Sequence, residues 1–205
     1  MARITRQESQ DITRQCLRNA ARDEFARYGV AGASIDRITE AAGYSRGAFY
    51  SNYASKHELA LELLAENNSL AIAQWRTLID ESLDPSTLLR RLEKQFDLAA
   101  SQRQWWLLAV ELRLEAERNL EFGEHFEAVN GETMRQLLEM IRSLCRATGC
   151  TASADPDYIA FVAHTFTHGL QFERSASPDH FGSPGKLFIR LIHDLLGRPS
   201  SVELP

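Results

Sequence analysis

The sequence predicts an all-α protein. Apolar residues recur every three or four positions along most of its 205 residues, as they do on one face of a helix, and no stretch alternates regularly enough to indicate a strand. A second signal marks three helix starts, where a residue that can cap a helix precedes a proline at the first helical position. These starts are Asp84-Pro85, Asp155-Pro156 and Ser183-Pro184.

The first predicted helix ends at Gly29. Leu17, Ala21, Phe25 and Tyr28 follow one another at spacings of three and four, so they form an apolar stripe that faces a core. Glycine adopts the left-handed backbone conformation that ends many helices, so Gly29 is the predicted stop.

Two short helices follow and form a helix-turn-helix unit. Ser34 is placed to cap the second helix, predicted over residues 35–42, and Gly43 ends it. Ser45 caps the third helix, which runs to about residue 51. Two short helices joined across a glycine turn can place the second of them in the major groove of B-DNA.

The rest of the chain is also predicted to be helical. A capping box formed by Ser55 and Glu58 starts a long helix that ends near Ile79. Further helices follow each of the three cap and proline pairs, with a break near Gln102 and a loop predicted over residues 175–184.

The charge is distributed unevenly along the chain. The net charge is -5, but residues 1–60 contain nine Lys and Arg residues against seven Asp and Glu residues. The first segment is therefore basic and the remainder acidic. Such an asymmetry indicates a head that faces a polyanion, carried on an acidic body.

Four segments of this head carry a more specific signal. They are Phe25-Ala26-Arg27-Tyr28-Gly29, Ser34-Ile35-Asp36-Arg37-Ile38, Ala41-Ala42-Gly43-Tyr44-Ser45-Arg46-Gly47-Ala48-Phe49-Tyr50 and Tyr53-Ala54-Ser55-Lys56-His57-Glu58-Leu59. Together they resemble the TetR family of transcriptional regulators. The resemblance covers only the head; beyond it, the chain is similar to the family in length and helical character alone.

The resemblance implies an all-α fold with a three-helix helix-turn-helix head and a C-terminal helical domain that binds a ligand and dimerises. It divides the chain into a DNA-binding domain over residues 1–55, a connecting helix over residues 56–80, and a ligand-binding and dimerisation domain over residues 81–205.

The resemblance assigns Tyr50 and Lys56 to contacts with DNA phosphates. Lys56 lies in the first turn of one helix and Ser34 at the start of another, where unpaired backbone N–H groups and the helix dipole also favour a phosphate. Arg46 can pair with a guanine edge. The expected base-reading residues are Ser45, Arg46, Gly47, Ala48, Ser51 and Asn52. A basic arm that reaches an adjacent groove is expected from Arg3, Thr5 and Arg6.

Aromatic residues are concentrated beyond residue 60, where all three tryptophans and eight of the ten phenylalanines lie. This excess suits a pocket for an apolar or aromatic compound, although aromatic residues at helical spacing also form ordinary cores. Glu111 could orient a polar group of such a compound, or lie on a solvated helix face. The candidate ligand-binding residues are Trp75, Phe96, Trp105, Trp106, Phe126, His164 and Phe166.

His164 and His168 stand four residues apart, a spacing that places two metal ligands on one helix face. No cysteine or carboxylate at a matching position completes a ligand set. The sequence therefore predicts no metal site and no cofactor.

The last two predicted helices, residues 157–174 and 186–196, are apolar around most of their circumference. Such helices must be covered on more than one side, and a second copy of the chain would cover them in a two-fold four-helix interface. The predicted interface residues are Phe161, Thr165, His168, Phe172, Phe188, Leu191, Ile192 and Leu195.

These features predict a sequence-specific DNA-binding transcriptional regulator, a repressor released from its operator by a small apolar or aromatic ligand. An activator, or a regulator controlled by a protein effector, is the alternative. An enzyme is disfavoured, because the sequence has no glycine-rich phosphate loop, no G-x-S-x-G elbow and no H-E-x-x-H pair.

The expected partners are double-stranded operator DNA, a small-molecule effector and a second copy of the chain. The sequence has no apolar run long enough to span a membrane, and its N-terminus lacks the apolar stretch of a secretory signal. We therefore expect a cytoplasmic protein with no membrane contact.

Overall fold

The structure, a computed structural model, describes residues 5–81, 84–148, 155–173 and 182–196. All the regular secondary structure in these ranges is helical, so the all-α fold class is confirmed. The helices are α1 (Arg6–Gly32), α2 (Ile35–Ala42), α3 (Arg46–Tyr50), α4 (Lys56–Glu81), α5 (Pro85–Ser101), α6 (Arg103–Arg118), α7 (Leu120–Thr148), α8 (Pro156–Glu173) and α9 (Pro184–Leu196).

The three predicted cap and proline signals begin α5, α8 and α9. The Asp84 carboxylate accepts hydrogen bonds from the Ser86 hydroxyl at 2.6 Å and the Thr87 N–H at 2.8 Å. These hydrogen bonds, chiefly the one from Ser86, lower the pKa of Asp84 to about 2. Ser183 accepts in the same way from the N–H of Lys186 at 3.2 Å. Most of the predicted loop over residues 175–184 lies outside the described residues.

The first of two compact units contains the described residues up to 67 together with residues 104–129. Leu17, Ile38 and Phe49 of the head are fully buried in one core with Leu112 of α6. Packing thus joins α6 and the start of α7 to the head, although they are distant from it in sequence. The functional division at residues 55 and 80 stays a prediction, because it follows the sequence and not this packing.

The predicted apolar stripe of α1 is correct for three of its four members. Leu17, Ala21 and Phe25 are buried, but Tyr28 is 53% exposed and was wrongly assigned to the core stripe. Its ring lies under the guanidinium of Arg37, 4.7 Å from the ring centroid. The guanidinium is attracted electrostatically to the face of the Tyr28 ring, which holds this exposed side chain against α2.

The second unit contains the described residues from 68 to 103 and from 130 onward. Its core contains an aromatic cluster in which Phe96 stacks on Phe188 with ring centroids 4.3 Å apart. The ring of Trp75 meets that of Phe188 edge to face at 5.4 Å. The N–H of Gly185, at the start of α9, donates to the Asp97 carboxylate of α5 at 2.7 Å.

Two residues predicted for the dimer interface belong to this core instead. Phe188 is 4% exposed and Ile192 is 1% exposed within a single chain. Phe188, Ile189 and Ile192 are buried because α9 packs on α5 and α8 of its own chain. A second copy is therefore not needed to cover them, and both assignments are corrected.

Candidate nucleic-acid interface

The turn between α2 and α3 depends on Gly43. Its backbone is in the left-handed region at φ 76° and ψ 27°, which a residue with a Cβ rarely adopts. The N–H of Tyr44 donates to the carbonyl of Thr39 at 2.9 Å and so closes the end of α2. Ser45 then caps α3, as predicted, by accepting from the N–H of Ala48 at 3.2 Å.

One side of α3 is anchored in the core of the first unit. Phe49 is fully buried there, and its ring contacts the rings of Tyr50 and Tyr53 at centroid distances of 5.4 and 5.8 Å. The opposite side of the helix therefore faces outward. The exposed residues of this side are Ser45, Arg46, Gly47, Tyr50 and Ser51.

Arg46 is the cation of this exposed side. Its guanidinium donates to both carboxylate oxygens of Asp36 on α2, at 3.1 and 3.2 Å. Hydrogen bonding to Tyr50, followed by the charge of Asp36, raises the pKa of Arg46. Both side chains of the Arg46–Asp36 ion pair are largely exposed, so the pair contributes little free energy. Arg46 can therefore exchange Asp36 for a guanine edge at a small free-energy cost.

Ser51 and Asn52, expected to assist base reading, bond to the backbone of α3. The Ser51 hydroxyl donates to the carbonyl of Gly47 at 2.9 Å. The Asn52 amide donates to the carbonyl of Ala48 at 2.7 Å, and the side chain is half-buried. The Asn52 amide nitrogen thus satisfies a carbonyl at the end of α3, and a role of Asn52 in base reading stays a prediction.

Lys56 holds the segment that leads into α2. Its ammonium donates to the carbonyls of Ala31 at 2.9 Å and Ala33 at 3.0 Å. An ammonium has three donor hydrogens, so a third can still reach a phosphate. Ser34 occupies the N-cap position of α2, but its side chain makes no capping hydrogen bond, contrary to prediction.

Glu24 of α1 fixes the start of α2. Its buried carboxylate accepts from the N–H of Ser34 at 3.0 Å and from the side chain of Arg37 at 2.7 Å. Burial alone would raise the pKa of Glu24, but the hydrogen bonds from Arg37 and Ser34 lower it overall. The ionised carboxylate thus orients α2 on α1 without using the Ser34 hydroxyl.

The same segment is held from α6 by Glu111. Gly29 interrupts α1 with φ 66° and ψ 177°, and the helix resumes after it. The Glu111 carboxylate accepts from the N–H groups of Val30 at 2.6 Å and Ala31 at 3.2 Å, the start of this last turn. It therefore acts as a helix cap supplied by a distant helix.

Two of the residues expected in an N-terminal arm, Thr5 and Arg6, lie at the start of α1. Thr5 caps α1 in a capping box, accepting from the N–H of Glu8 at 3.2 Å while its own N–H donates to the Glu8 carboxylate at 2.7 Å. Arg6 is the first residue of α1. Both residues thus belong to the helix start, and Arg3 lies outside the described residues.

The seven candidate ligand-binding residues are divided between the two units. Phe126 and Trp105 belong to the core of the first unit or pack against it, and Trp106 lies in the same unit. The second unit holds Trp75, Phe96, His164 and Phe166. Phe96 is 4% exposed and fills the aromatic cluster, so it is a core residue.

The remaining predicted interface residues differ in exposure. Phe161 is 61% exposed and Thr165 is also exposed, both on one face of α8. His168 and Leu191 are half-buried, and Leu195 packs partly against the core. The side chain of Phe172 lies outside the described residues.

A surface cavity of about 490 Å³ lies against α1 and α2. Charged residues contribute much of its lining, including Asp23, Glu24, Arg27 and Arg37. None of the predicted ligand-binding residues lines it. It is therefore not the apolar pocket that the sequence predicts. Within the described residues, no helix combines the length and the hydropathy that a membrane span requires.

Comparisons with known proteins agree with this geometry. Residues 17–63 match the family model described as bacterial regulatory proteins, tetR family. The chain is 33% identical over 96 residues to the transcriptional repressor AcnR of Corynebacterium jeikeium, a match that covers 46% of this chain and only 45% of AcnR. It is 32% identical over 181 residues to an Escherichia coli protein described as "Probable acrEF/envCD operon repressor", covering 79% of this chain and 75% of that protein.

Solved structures show the same fold. The transcriptional regulator FadR from Bacillus subtilis, determined in complex with stearoyl-CoA, superimposes with a TM-score of 0.62 at 17% identity. The superposition covers 89% of this chain and 96% of FadR.

Proposed function

The chain belongs to the TetR family of bacterial regulatory proteins, and we propose that it is a repressor that binds a two-fold symmetric operator as a homodimer. A small molecule releases it from the operator. The observation that carries the proposal is α3 itself, a short helix with one face anchored by Phe49 and the other exposed. Reading DNA sequence is the function that such a helix serves within a helix-turn-helix unit.

Tyr50 and Lys56 are proposed to contact phosphates. Tyr50→Phe removes only a hydroxyl that lies beside Arg46, and the contact of the ring with that of Phe49 remains. Ser34 is the third proposed contact, because its hydroxyl, at the start of α2, makes no capping hydrogen bond. These groups flank α3 and would fix its depth in the groove.

We expect Tyr50→Phe and Lys56→Ala to weaken binding to all DNA sequences by similar factors, since phosphate contacts position a protein without specifying a base. Lys56→Ala should also reduce the slope of log affinity against log salt by about 1. Binding isotherms on specific and random duplexes measure both effects. Tyr28→Phe, the same change at another exposed tyrosine, is the control. A loss confined to one operator variant would contradict the phosphate assignment.

Arg46 is proposed to read a guanine. We expect Arg46→Ala to relax the preference at one base pair in each half-site, at a cost of about 1 to 3 kcal/mol. Affinities for a set of operators with single base changes test this. The matched control is Arg113→Ala, which removes an exposed arginine of α6 paired with Glu127 and Glu117. If every base preference survives Arg46→Ala, the arginine contacts the backbone instead.

The effector is proposed to be a small apolar or aromatic compound. FadR, which has the same fold, was solved with stearoyl-CoA bound. In this chain, Trp75 and Phe166 are partly buried beside the aromatic core of the second unit and are the proposed contacts. A reporter driven by the operator tests the direction of control, because a repressor lowers transcription and an activator raises it.

Release is proposed to act through contacts of the first unit. Glu111 connects α6 to the segment before α2, and Lys56 connects that segment to the start of α4. A ligand that binds better to an arrangement with displaced α4 and α6 would shift the population toward it. The two copies of α3 would then lose the half-site spacing of about 34 to 36 Å, or a multiple of it.

The dimer is proposed to form through the exposed face of α8. Phe161 and Tyr158 are 61% and 56% exposed on a single chain. Neighbouring exposed large apolar residues on a helix of one chain favour an interface. We also propose the three-part functional division at residues 55 and 80, which rests on the resemblance of the head to the family, and a cytoplasmic location, where DNA is accessible.

A further inference from the structure

His164 and His168 converge on one point beside α8. Their Nε2 atoms are 3.2 Å apart, and the ring centroids are 4.5 Å apart with the planes inclined at 63°. Both side chains are half-buried. The spacing in sequence only predicted a shared helix face, whereas the structure brings the same nitrogen of each ring into contact.

The 3.2 Å separation is also that of an N–H···N hydrogen bond, so in the metal-free chain one Nε2 carries a proton and the other accepts it. A bound metal ion would replace this hydrogen bond. Each neutral ring would then carry its proton on Nδ1 and offer the unshared pair of Nε2 to the metal.

The distance between the two nitrogens suits a shared metal ligand set. Zinc binds histidine nitrogen at about 2.0 to 2.1 Å, so two nitrogens 3.2 Å apart enclose an angle of about 100° at the metal, close to tetrahedral. We propose that His164 and His168 form a site for a divalent transition-metal ion, of which Zn²⁺ is the best fit.

The described residues supply two ligands, and water would supply the others. Within the described residues, no group of three or more His, Cys, Asp or Glu side chains is placed to hold a metal ion. Phe161 and Thr165, on the adjacent part of α8, are exposed, so solvent reaches this side of the helix. A bound ion would link two residues one turn apart on α8, beside the face that is proposed to form the dimer.

The site makes no use of the DNA-binding residues, so its test is separate from that of the proposed function. Full-length protein stripped with EDTA should bind Zn²⁺ in a calorimetric titration. His164→Gln and His168→Gln should each weaken binding at least about tenfold, because even an outer partner of a metal site costs that much when it is removed. His125→Gln, which alters an exposed histidine of α7, is the matched control and should bind as the parent does.

A second measurement needs no variant. Crystals of the unaltered protein soaked in Zn²⁺ should show anomalous density about 2.0 to 2.1 Å from both Nε2 atoms. Density at that position together with the tenfold losses supports the site. Unchanged Zn²⁺ affinity in both variants overturns it, as does a metal peak elsewhere with none between the two rings.

Discussion

Replacing Phe161 with glutamate is expected to separate the two subunits and to lower operator affinity at least about 100-fold. Phe161 is already 61% exposed in a single chain, so a charge there should leave the folded chain intact. In the proposed dimer the same carboxylate would be buried without a partner, which costs several kcal/mol. One chain alone presents one α3 and makes half of the operator contacts.

Leu98→Glu is the control for this variant. Leu98 is also 61% exposed and lies in the second unit, on α5. Sedimentation equilibrium and operator titrations of both variants separate a specific interface from a general effect of a charge. The account predicts a monomer for Phe161→Glu and a dimer for Leu98→Glu. A dimer with parental operator affinity in both cases would move the interface away from this face of α8.

Replacing Gly29 with alanine is expected to be the most damaging small change in the head. Its φ of 66° and ψ of 177° belong to a region that only glycine populates readily, so a side chain there costs about 1 to 3 kcal/mol of strain. The new Cβ would also clash with a Glu111 carboxylate oxygen. Displacing that carboxylate removes the cap from Val30 and Ala31.

Thermal unfolding and operator binding of Gly29→Ala should both be weakened. Gly131→Ala is the matched control, because Gly131 lies within α7 with nothing within 4 Å of its added Cβ, and alanine should there be neutral or stabilising. The double variant Gly29→Ala, Glu111→Ala relieves the clash and keeps the backbone strain. Strictly additive losses in the double variant would contradict a direct conflict between the two residues.

The local parts of the head could be predicted from sequence, because their signals lie within a few residues of one another. Gly43 and the Ser45 cap act on neighbouring backbone groups, and the structure has both. The capping box of Ser55 and Glu58 is half formed, because Ser55 accepts from the N–H of Glu58 while the Glu58 carboxylate accepts from the N–H of Ala54 and not from that of Ser55. The cap and proline pairs likewise marked the starts of three later helices.

Long-range contacts carried no such signal. Glu111 lies 81 residues from Val30, and the Lys56 ammonium reaches back 25 residues to Ala31. A sequence pattern does not reveal which distant backbone group a side chain will meet. The same reason explains why Phe188 was assigned to an interface, since the sequence showed an apolar face but not that α5 covers it within the chain.

The direct test of the central claim, that the exposed side of α3 reads operator DNA, is a selection of duplexes from a randomised library by the full-length protein. The account predicts an enriched two-fold symmetric sequence whose half-sites are one helical turn, or a multiple of it, apart. It further predicts that Arg46→Ala changes one base pair in each half-site and that Tyr50→Phe changes none. Recovery of unrelated sequences by the unaltered protein, or an enriched sequence indifferent to Arg46→Ala and to every other change on the exposed side of α3, would contradict the account.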